Sequence, residues 1–334
     1  MFILGLLLSI FFVSLIITVL TRRYALSNGL YDLPNERSSH TVATPRGGGV
    51  AIALSLFAAL LVLQWNHFLA TKVMYALLGG GVLVALIGWR DDHKHVPAQW
   101  RILVHSVAAL WALYWLYGAP AQWDILTWAQ VLITVLAIVW LTNLYNFMDG
   151  IDGLAGSEAV YVGVAGGVLL WLGGAYGLAL VSFCLATASA GFLVLNWPPA
   201  KIFMGDVGSG LLGFSFAILI LASNQSETLP LGAWIVLFAI FILDTSCTLL
   251  WRISHHELWL QPHRSHAYQR LVQLGASHGQ VTSWSLLINS VVLSPLAFLT
   301  MWKTDTRHWV ILLVVVAGGF LWFYIQRKFL TTQA

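Results

Sequence analysis

Apolar residues along this chain do not alternate with polar ones at the spacing of a half-buried strand or a surface helix. They run in long, nearly uninterrupted blocks. A helix that is hydrophobic all round is buried in protein or in lipid, and crossing the hydrocarbon of a bilayer takes roughly 20 such residues. Eleven blocks of about that length are set off by charge, glycine or proline: 1–21, 47–65, 72–89, 101–118, 125–145, 154–173, 176–196, 208–223, 230–251, 281–302 and 307–326. The pattern predicts an all-α, polytopic membrane protein with about eleven transmembrane helices. It forms a single domain over residues 1–334, since even the longest gap, Arg252 to Gln280, has no room for a soluble domain. The first block has no positive n-region and no small-residue cleavage site, and Arg22 and Arg23 follow it. It reads as a retained signal anchor whose N-terminus lies outside.

Composition agrees: 59% of residues are hydrophobic, mean hydropathy is +0.82 and only 9% are charged. The placement of the charges carries more information than their sum. Alternating loops put 13 of the 16 Lys and Arg on one side, and Lys72, Lys303 and Arg307 on the other. The positive-inside rule makes the richer side cytoplasmic and places the C-terminus there. The net charge of +3 belongs to this asymmetry, which gives no reason to expect a nucleic-acid partner. Cys184 and Cys247 fall within predicted helices at no metal-ligand or disulfide spacing, and read as packing residues.

Acids and histidines sort to the same inner side, although topology does not require them there. Asp91, Asp92, Asp149, Asp152 and Asp206 gather at three separate span ends. A carboxylate within a spanning helix costs about 2.5–3.5 kcal/mol on the insertion scale. Two of them about 5 Å apart repel by on the order of 3 kcal/mol at an effective dielectric of 20. A solvated helix end explains one such acid but not five, so a positive partner is expected among them. A hard divalent cation is the economical choice, Mg²⁺ when a diphosphate shares the shell, with Mn²⁺ as a substitute. "MGDVGSG" (204–210) enters a helix whose first N–H groups are expected to receive phosphate oxygens, with Gly205 and Gly208 permitting close approach. In "PHRSHAYQR" (262–270), Arg264 can fork onto phosphate while His263 or His266 donates to it. No G-x-x-x-x-G-K-[ST] occurs, and "HELW" (256–259) is not H-E-x-x-H. Glu158, Asp244 and His105 inside predicted helices read as partnered packing groups.

At these residues a resemblance becomes specific. "NLYNFMDGIDGLAG" (143–156) resembles the N-x-x-N-x-x-D-G-x-D-G-L-A signature of the polyprenyl-phosphate N-acetylhexosamine-1-phosphate transferases, the glycosyltransferase 4 family. "FMGDVGS", the Asp91–Asp92 pair and the "PHRSH" loop are similar to that family's other signatures. "PNERSSHTVATPRGGG" (34–49) resembles the bacterial branch that initiates O-antigen and related polysaccharides. The resemblance spans about residues 1–328. It implies transfer of an N-acetylhexosamine 1-phosphate from a UDP-sugar to undecaprenyl phosphate, with release of UMP, at the cytoplasmic face of a bacterial inner membrane. It also implies roles: Asp206 and Asn146 on Mg²⁺, Asp91 deprotonating or orienting the acceptor phosphate, Asp92 supporting the metal site, and Asp149 and His263 in the catalytic set. Phe203 would stack on uracil, bordered by Gly150, Ile151 and Asp152. Arg264, His266, Asn143 and Arg46 would contact substrate, and a homodimer is one expected assembly.

The chain departs from the muramoyl-pentapeptide translocase branch, because Lys94 stands two residues after Asp92 and the late loop reads "HRSH". The sugar among the N-acetylated hexosamines stays open. An ion- or lipid-coupled transporter is the rival class, but such sites lie near the midplane on broken helices of paired repeats, whereas these acids lie at helix ends. The CDP-alcohol phosphotransferases need D-G-x-x-A-R, and "DGLAG" lacks the arginine.

Overall fold

The computed structural model describes residues 1–34, 42–119, 124–257 and 263–333. Residues 35–41 of the "PNERSSHTVATPRGGG" stretch and 258–262, which include Pro262 of the late loop, lie outside the described residues. Each of the eleven predicted blocks is helical: α1 (Phe2–Asn28), α2 (Gly49–Trp65), α3 (Thr71–His93), α4 (Ala98–Tyr117), α5 (Ile125–Phe147), α6 (Leu154–Leu172), α7 (Tyr176–Asn196), α8 (Asp206–Gln225), the pair α9 (Leu231–Leu237) and α10 (Ala239–Ser254), α12 (His278–Ile288) with α13 (Ser294–Trp302), and α14 (Arg307–Gln333). A short helix, α11 (Ala267–Gln273), completes the set. Among the described residues eight helices are long and apolar enough to cross a membrane, and nine when the bent pair counts as one. The 17-residue α2 is shorter, and α4, which carries Arg101 and His105, is more polar.

Two blocks are less regular than their sequence. α9 and α10 meet at 79°. In the other, a π-helical turn (Asn289–Leu293) joins α12 to α13. Pro295 follows it; its missing N–H removes a helical hydrogen bond, a common cause of such a break.

The bundle is built around α8. Its span is the most deeply buried of all, packed on α3, α5 and α2, whereas α1 and α14 are mostly exposed along their lengths. Without a hydrophobic drive between helices in lipid, close backbone approach through small residues holds such bundles together. Accordingly Ser14 of α1 donates to the Ala188 carbonyl of α7 at 2.6 Å, and Ser182 of α7 donates to the Gly163 carbonyl of α6 at 2.9 Å.

The same device fixes the end of the bundle where α8 begins. The α1–α2 connection forms a two-residue antiparallel ribbon, β1 (Tyr31–Asp32) with β2 (Thr44–Pro45), the one strand pair among the described residues. Beyond it the chain runs against the segment leading into α8. Phe203 N–H donates to the Pro45 carbonyl (2.8 Å), Gly48 N–H to the Phe203 carbonyl (2.9 Å) and Gly49 N–H to the Met204 carbonyl (2.8 Å). A Cβ on Gly49 would overlap the backbone of Gly208, and one on Gly88 of α3 would come within 2.6 Å of the Asp206 backbone.

Candidate active site

Four helix ends converge where α8 begins. Asp91 lies in the last turn of α3, Arg101 in the first turn of α4, Asn146 in the last turn of α5, and Asp206 is the first residue of α8. The Nη1 of Arg101 reaches Oδ2 of Asp91 at 3.1 Å and Oδ2 of Asp206 at 2.8 Å. Asn146 Nδ2 donates to Asp206 Oδ1 (2.8 Å) and to the Ser209 hydroxyl (2.9 Å). The second Asp91 oxygen accepts from the Val96 N–H. The positive group expected among the acids is thus, within the protein itself, an arginine that the sequence reading assigned only to topology.

Asp92 points elsewhere. Its carboxylate accepts from the backbone N–H of Asp206 at 3.0 Å and of Val207 at 3.4 Å, and its side chain is buried. The α8 N-terminus, expected to be open to phosphate, is therefore occupied by a side chain of α3. The glycines follow suit: Gly205 has φ +75°, and a Cβ there would lie 2.6 Å from the Asp92 oxygens. The close approach they permit is that of protein, because the orphan N–H groups of a buried helix start must be met.

Asp149 sits in the turn after α5, and Gly153 (φ +76°) starts α6. Burial, then the charges of Asp206, Asp92 and Asp152, hold its carboxyl well above the usual range. Asp152 is committed to its surroundings: Oδ2 accepts from the Ala200 N–H (2.9 Å), Oδ1 lies 3.2 Å from His278 Nδ1, and its carbonyl accepts from Thr282 (3.0 Å). Ile151, expected beside a ligand, has its side chain in the core at 5% exposure; only its backbone is left to border one. Gly150 is exposed, with the Tyr268 hydroxyl where its Cβ would be. Asn143 lies one turn before Asn146, half-buried, its amide donating to the Val139 carbonyl of its own helix (2.8 Å).

The late loop folds onto this turn. Asp244 of α10 accepts from the N–H groups of Ala267 (2.7 Å) and Tyr268 (3.1 Å), and the Tyr268 hydroxyl donates to the Phe147 carbonyl (2.9 Å). His266 stacks on Phe147, His263 and Tyr268 and is only 4% exposed. Its ring faces are used in packing, which leaves only its ring edge to meet a substrate. His263 and Arg264 are half-buried, and His263 Nδ1 lies 2.8 Å from the Ser265 hydroxyl. Burial, then His266 and Arg252, push the His263 imidazole down to about 3, so at neutral pH it is uncharged. Gln326 of α14 donates to the Ser265 carbonyl (2.7 Å) from behind. Arg46 lines a cavity of ≈ 300 Å³ together with Asp92, Trp89 and His93, and half-buried Phe203 stands in the segment paired with Pro45.

The structure thus joins Asp91, Asn146 and Asp206 directly, and Asp92 through the α8 backbone. It ties the turn after α5 to the late loop through Tyr268 on Phe147, and to α12 through His278 on Asp152. Arg101, Ser209, Tyr268 and His278 were not anticipated; Arg101 alone left a signal, a charge inside a predicted helix ten residues after Asp91. Glu158 and Asp244 are partnered as expected, Glu158 by Asn289 at 2.6 Å, while the buried His105 has no partner for Nδ1 among the described residues.

Among the described residues no three His, Cys, Asp or Glu side chains converge as a ready cage for a metal. Asp206 and Asn146 instead present one carboxylate and one amide side by side. That oxygen-donor pair fits Mg²⁺, which commonly takes one or two carboxylates and fills its shell with substrate oxygens and water. The Arg101 nitrogen between Asp91 and Asp206 shows that the spot accommodates positive charge. The set does not fit zinc, which prefers nitrogen and sulfur.

Sequence comparisons point one way. A model of the family described as Glycosyl transferase family 4 matches residues 74–224, which contain the Asp91, Asn146 and Asp206 groups. The chain is 33% identical over 274 residues to the "Probable undecaprenyl-phosphate N-acetylglucosaminyl 1-phosphate transferase" of Bacillus subtilis (strain 168), covering 79% of this chain and 75% of the relative. It is 26% identical over 338 residues to the undecaprenyl-phosphate alpha-N-acetylglucosaminyl 1-phosphate transferase of Escherichia coli (strain K12), and 28% identical over 342 residues to that of Salmonella typhi. These last two cover 96% of this chain and 90% of each relative. The comparisons give a homodimer no support.

Proposed function

The chain belongs to the polyprenyl-phosphate N-acetylhexosamine-1-phosphate transferases of glycosyl transferase family 4, and from that premise we propose that it transfers an N-acetylhexosamine 1-phosphate from a UDP-sugar to undecaprenyl phosphate. A phosphate oxygen of the lipid attacks the β-phosphorus of the donor. The bond from that phosphorus to the bridging oxygen breaks, UMP leaves with the oxygen, and a lipid-linked diphosphate sugar remains. The single observation that carries this reading is the convergence of Asp91, Arg101, Asn146 and Asp206 from four helix ends.

In this reading Asp206 and Asn146 hold Mg²⁺, which when bound neutralises charge on the diphosphate. Asp91 deprotonates or orients the acceptor phosphate, and Arg101 offsets the repulsion between the two carboxylates until substrate arrives. Asp92 acts as a positioning residue by fixing the start of α8. Asp149, whose carboxyl is held above the usual range by burial, stands in the catalytic set at the turn. Phe203, with the Gly150–Asp152 backbone, borders the uracil, and Arg264 with neutral His263 faces the diphosphate or sugar. Positioning and charge neutralisation supply the catalysis, so a direct displacement suffices; a burst of UMP without lipid acceptor would favour an aspartyl-phosphate route instead.

All eleven blocks cross the membrane in this reading, with the N-terminus outside, the C-terminus inside and the site on the cytoplasmic face of a bacterial inner membrane. The product starts an O-antigen or related cell-envelope polysaccharide. Purified protein given undecaprenyl phosphate and a panel of UDP-N-acetyl sugars, including the glucosamine, quinovosamine and fucosamine derivatives, tests the reaction. Lipid-linked product and UMP in equal amounts are expected with at least one donor; none with any donor would overturn it.

A further inference from the structure

α14 is exposed along most of its length, but its C-terminal half carries one buried face. Trp322, Ile325, Gln326 and Phe329 are each 6–8% exposed, whereas Phe323 and Tyr324 between them stand out from the bundle. A spacing of i, i+3, i+4 and i+7 sets the four on one side of a helix. That side covers the late loop and α11, and Ala267, Trp322 and Ile325 form a small apolar cluster apart from the main core.

Three lines of contact run from this face to the backbone of the loop. Gln326 Nε2 donates to the Ser265 carbonyl at 2.7 Å. Phe329 carries the Arg270 guanidinium 3.8 Å from its ring centre; Arg270 donates to Gln273 Oε1 (2.9 Å), and Gln273 Nε2 donates to the Arg264 carbonyl (2.9 Å). Trp322 Nε1 donates to the Thr248 hydroxyl (3.0 Å), which donates to Asp244 Oδ1 (3.2 Å), and Asp244 accepts from the N–H groups of Ala267 and Tyr268. An indole N–H only donates, so Thr248 must accept from it and spend its own proton on Asp244. None of the three lines uses the His263 or Arg264 side chain.

The loop is therefore fastened on two sides, to the turn after α5 by Tyr268 on the Phe147 carbonyl and to α14 by these lines. Resting on the proposed reaction, in which Arg264 and His263 face the diphosphate or sugar, we infer that Trp322, Gln326 and Phe329 are positioning residues for the donor. They touch no substrate. They set how far the loop backbone stands from the Asp149–Asp152 turn, and so where its two side chains meet the UDP-sugar; a misplacement of about 1 Å can cost about 10²-fold in rate. All three lie beyond residues 74–224, which the family model matches.

The test uses the full-length protein in nanodiscs. Gln326→Leu removes the first line, and Thr248→Val breaks the Trp322 line while keeping its shape. Each is expected to raise KM for the UDP-sugar about tenfold, the equivalent of one lost hydrogen bond, with KM for undecaprenyl phosphate within about twofold of wild type. Thr248→Ser keeps the hydroxyl and is expected to stay within about twofold for both substrates. An unchanged donor KM in Gln326→Leu and Thr248→Val, an equal rise for donor and acceptor, or the same loss in Thr248→Ser as in Thr248→Val would overturn the assignment. Should either variant fail to insert, Phe329→Leu, which changes only the ring under Arg270, carries the same test. Amide hydrogen exchange reads the fastening without turnover: in Thr248→Val the Ala267 and Tyr268 amides are expected to exchange at least about tenfold faster, with α8 unchanged, and wild-type rates there would overturn the Trp322 line. Faster exchange in the variant, together with a wild-type protein that releases no UMP from any donor, would count against the reaction and not against the fastening.

Discussion

Arg101 Nη1 lies 2.8 Å from Asp206 Oδ2, joining the first turn of α4 to the first residue of α8 across 105 positions of sequence. The same nitrogen holds Asp91, so one cation bridges two carboxylates that otherwise repel. Arg101→Gln is expected to lower stability in metal-free buffer by about 1.5–3 kcal/mol, the range for a hydrogen bond to a charged group. Added Mg²⁺ is expected to restore more stability to this variant than to wild type. Thermal melts with and without the ion measure both effects, and equal Mg²⁺ responses would remove the proposed cation exchange.

Asp206→Asn and Asp91→Asn are each expected to cut Mg²⁺-dependent UMP release by about 100-fold or more while the protein still inserts, because positioned charge is a large part of such catalysis. Near-wild-type turnover by purified Asp206→Asn would eliminate its role on the metal.

Asp92 accepts two backbone N–H groups at a buried helix start. Asp92→Ala leaves both unmet and is expected to destabilise the protein by about 2–4 kcal/mol, since each unsatisfied buried group costs about 1–3 kcal/mol. Asp92→Asn keeps one acceptor oxygen and is expected to lose less. Denaturant titration of the two variants ranks them, and the reverse order would contradict the capping role.

Gly49 and Gly88 leave no space for a methyl group against Gly208 and Asp206. Gly49→Ala and Gly88→Ala are each expected to cost about 1–3 kcal/mol by overpacking, and to disturb turnover as well because the α8 start moves. An unaltered Tm in either variant would show that the contact yields without strain.

His263 has a folded pKa of about 3 against an ordinary 6.5. Between those values the unfolded chain binds the proton and the native protein does not, so stability falls as the pH drops from 6.5 towards 3. His263→Gln is expected to flatten that part of the Tm-against-pH curve and leave it unchanged above pH 7. Superimposable curves would place His263 outside the linkage.

The helices were legible because lipid allows little else: backbone groups must be satisfied within the span, and the span must be apolar. The 79° bend between α9 and α10 was not, since Phe238 and Ala239 mark the break with neither proline nor glycine; packing sets it. Acids at span ends stand out in sequence because they are expensive there. Their partners do not. Arg101 reads as one of thirteen orientation charges, and nothing in "MGDVGSG" tells whether its N–H groups await a ligand or a carboxylate 114 residues away. The motif positions of Ile151 and His266 do not tell their burial, which depends on neighbours from other helices.

Asp244 grips the first two N–H groups of α11 from below. The backbone carrying His263 and Arg264 is therefore immobilised during folding rather than on encounter with a ligand. In the proposed reading, where His263 and Arg264 face the substrate, association then gives up little chain entropy there, and loosening that anchor alone would weaken affinity without touching any group that meets the bound molecule.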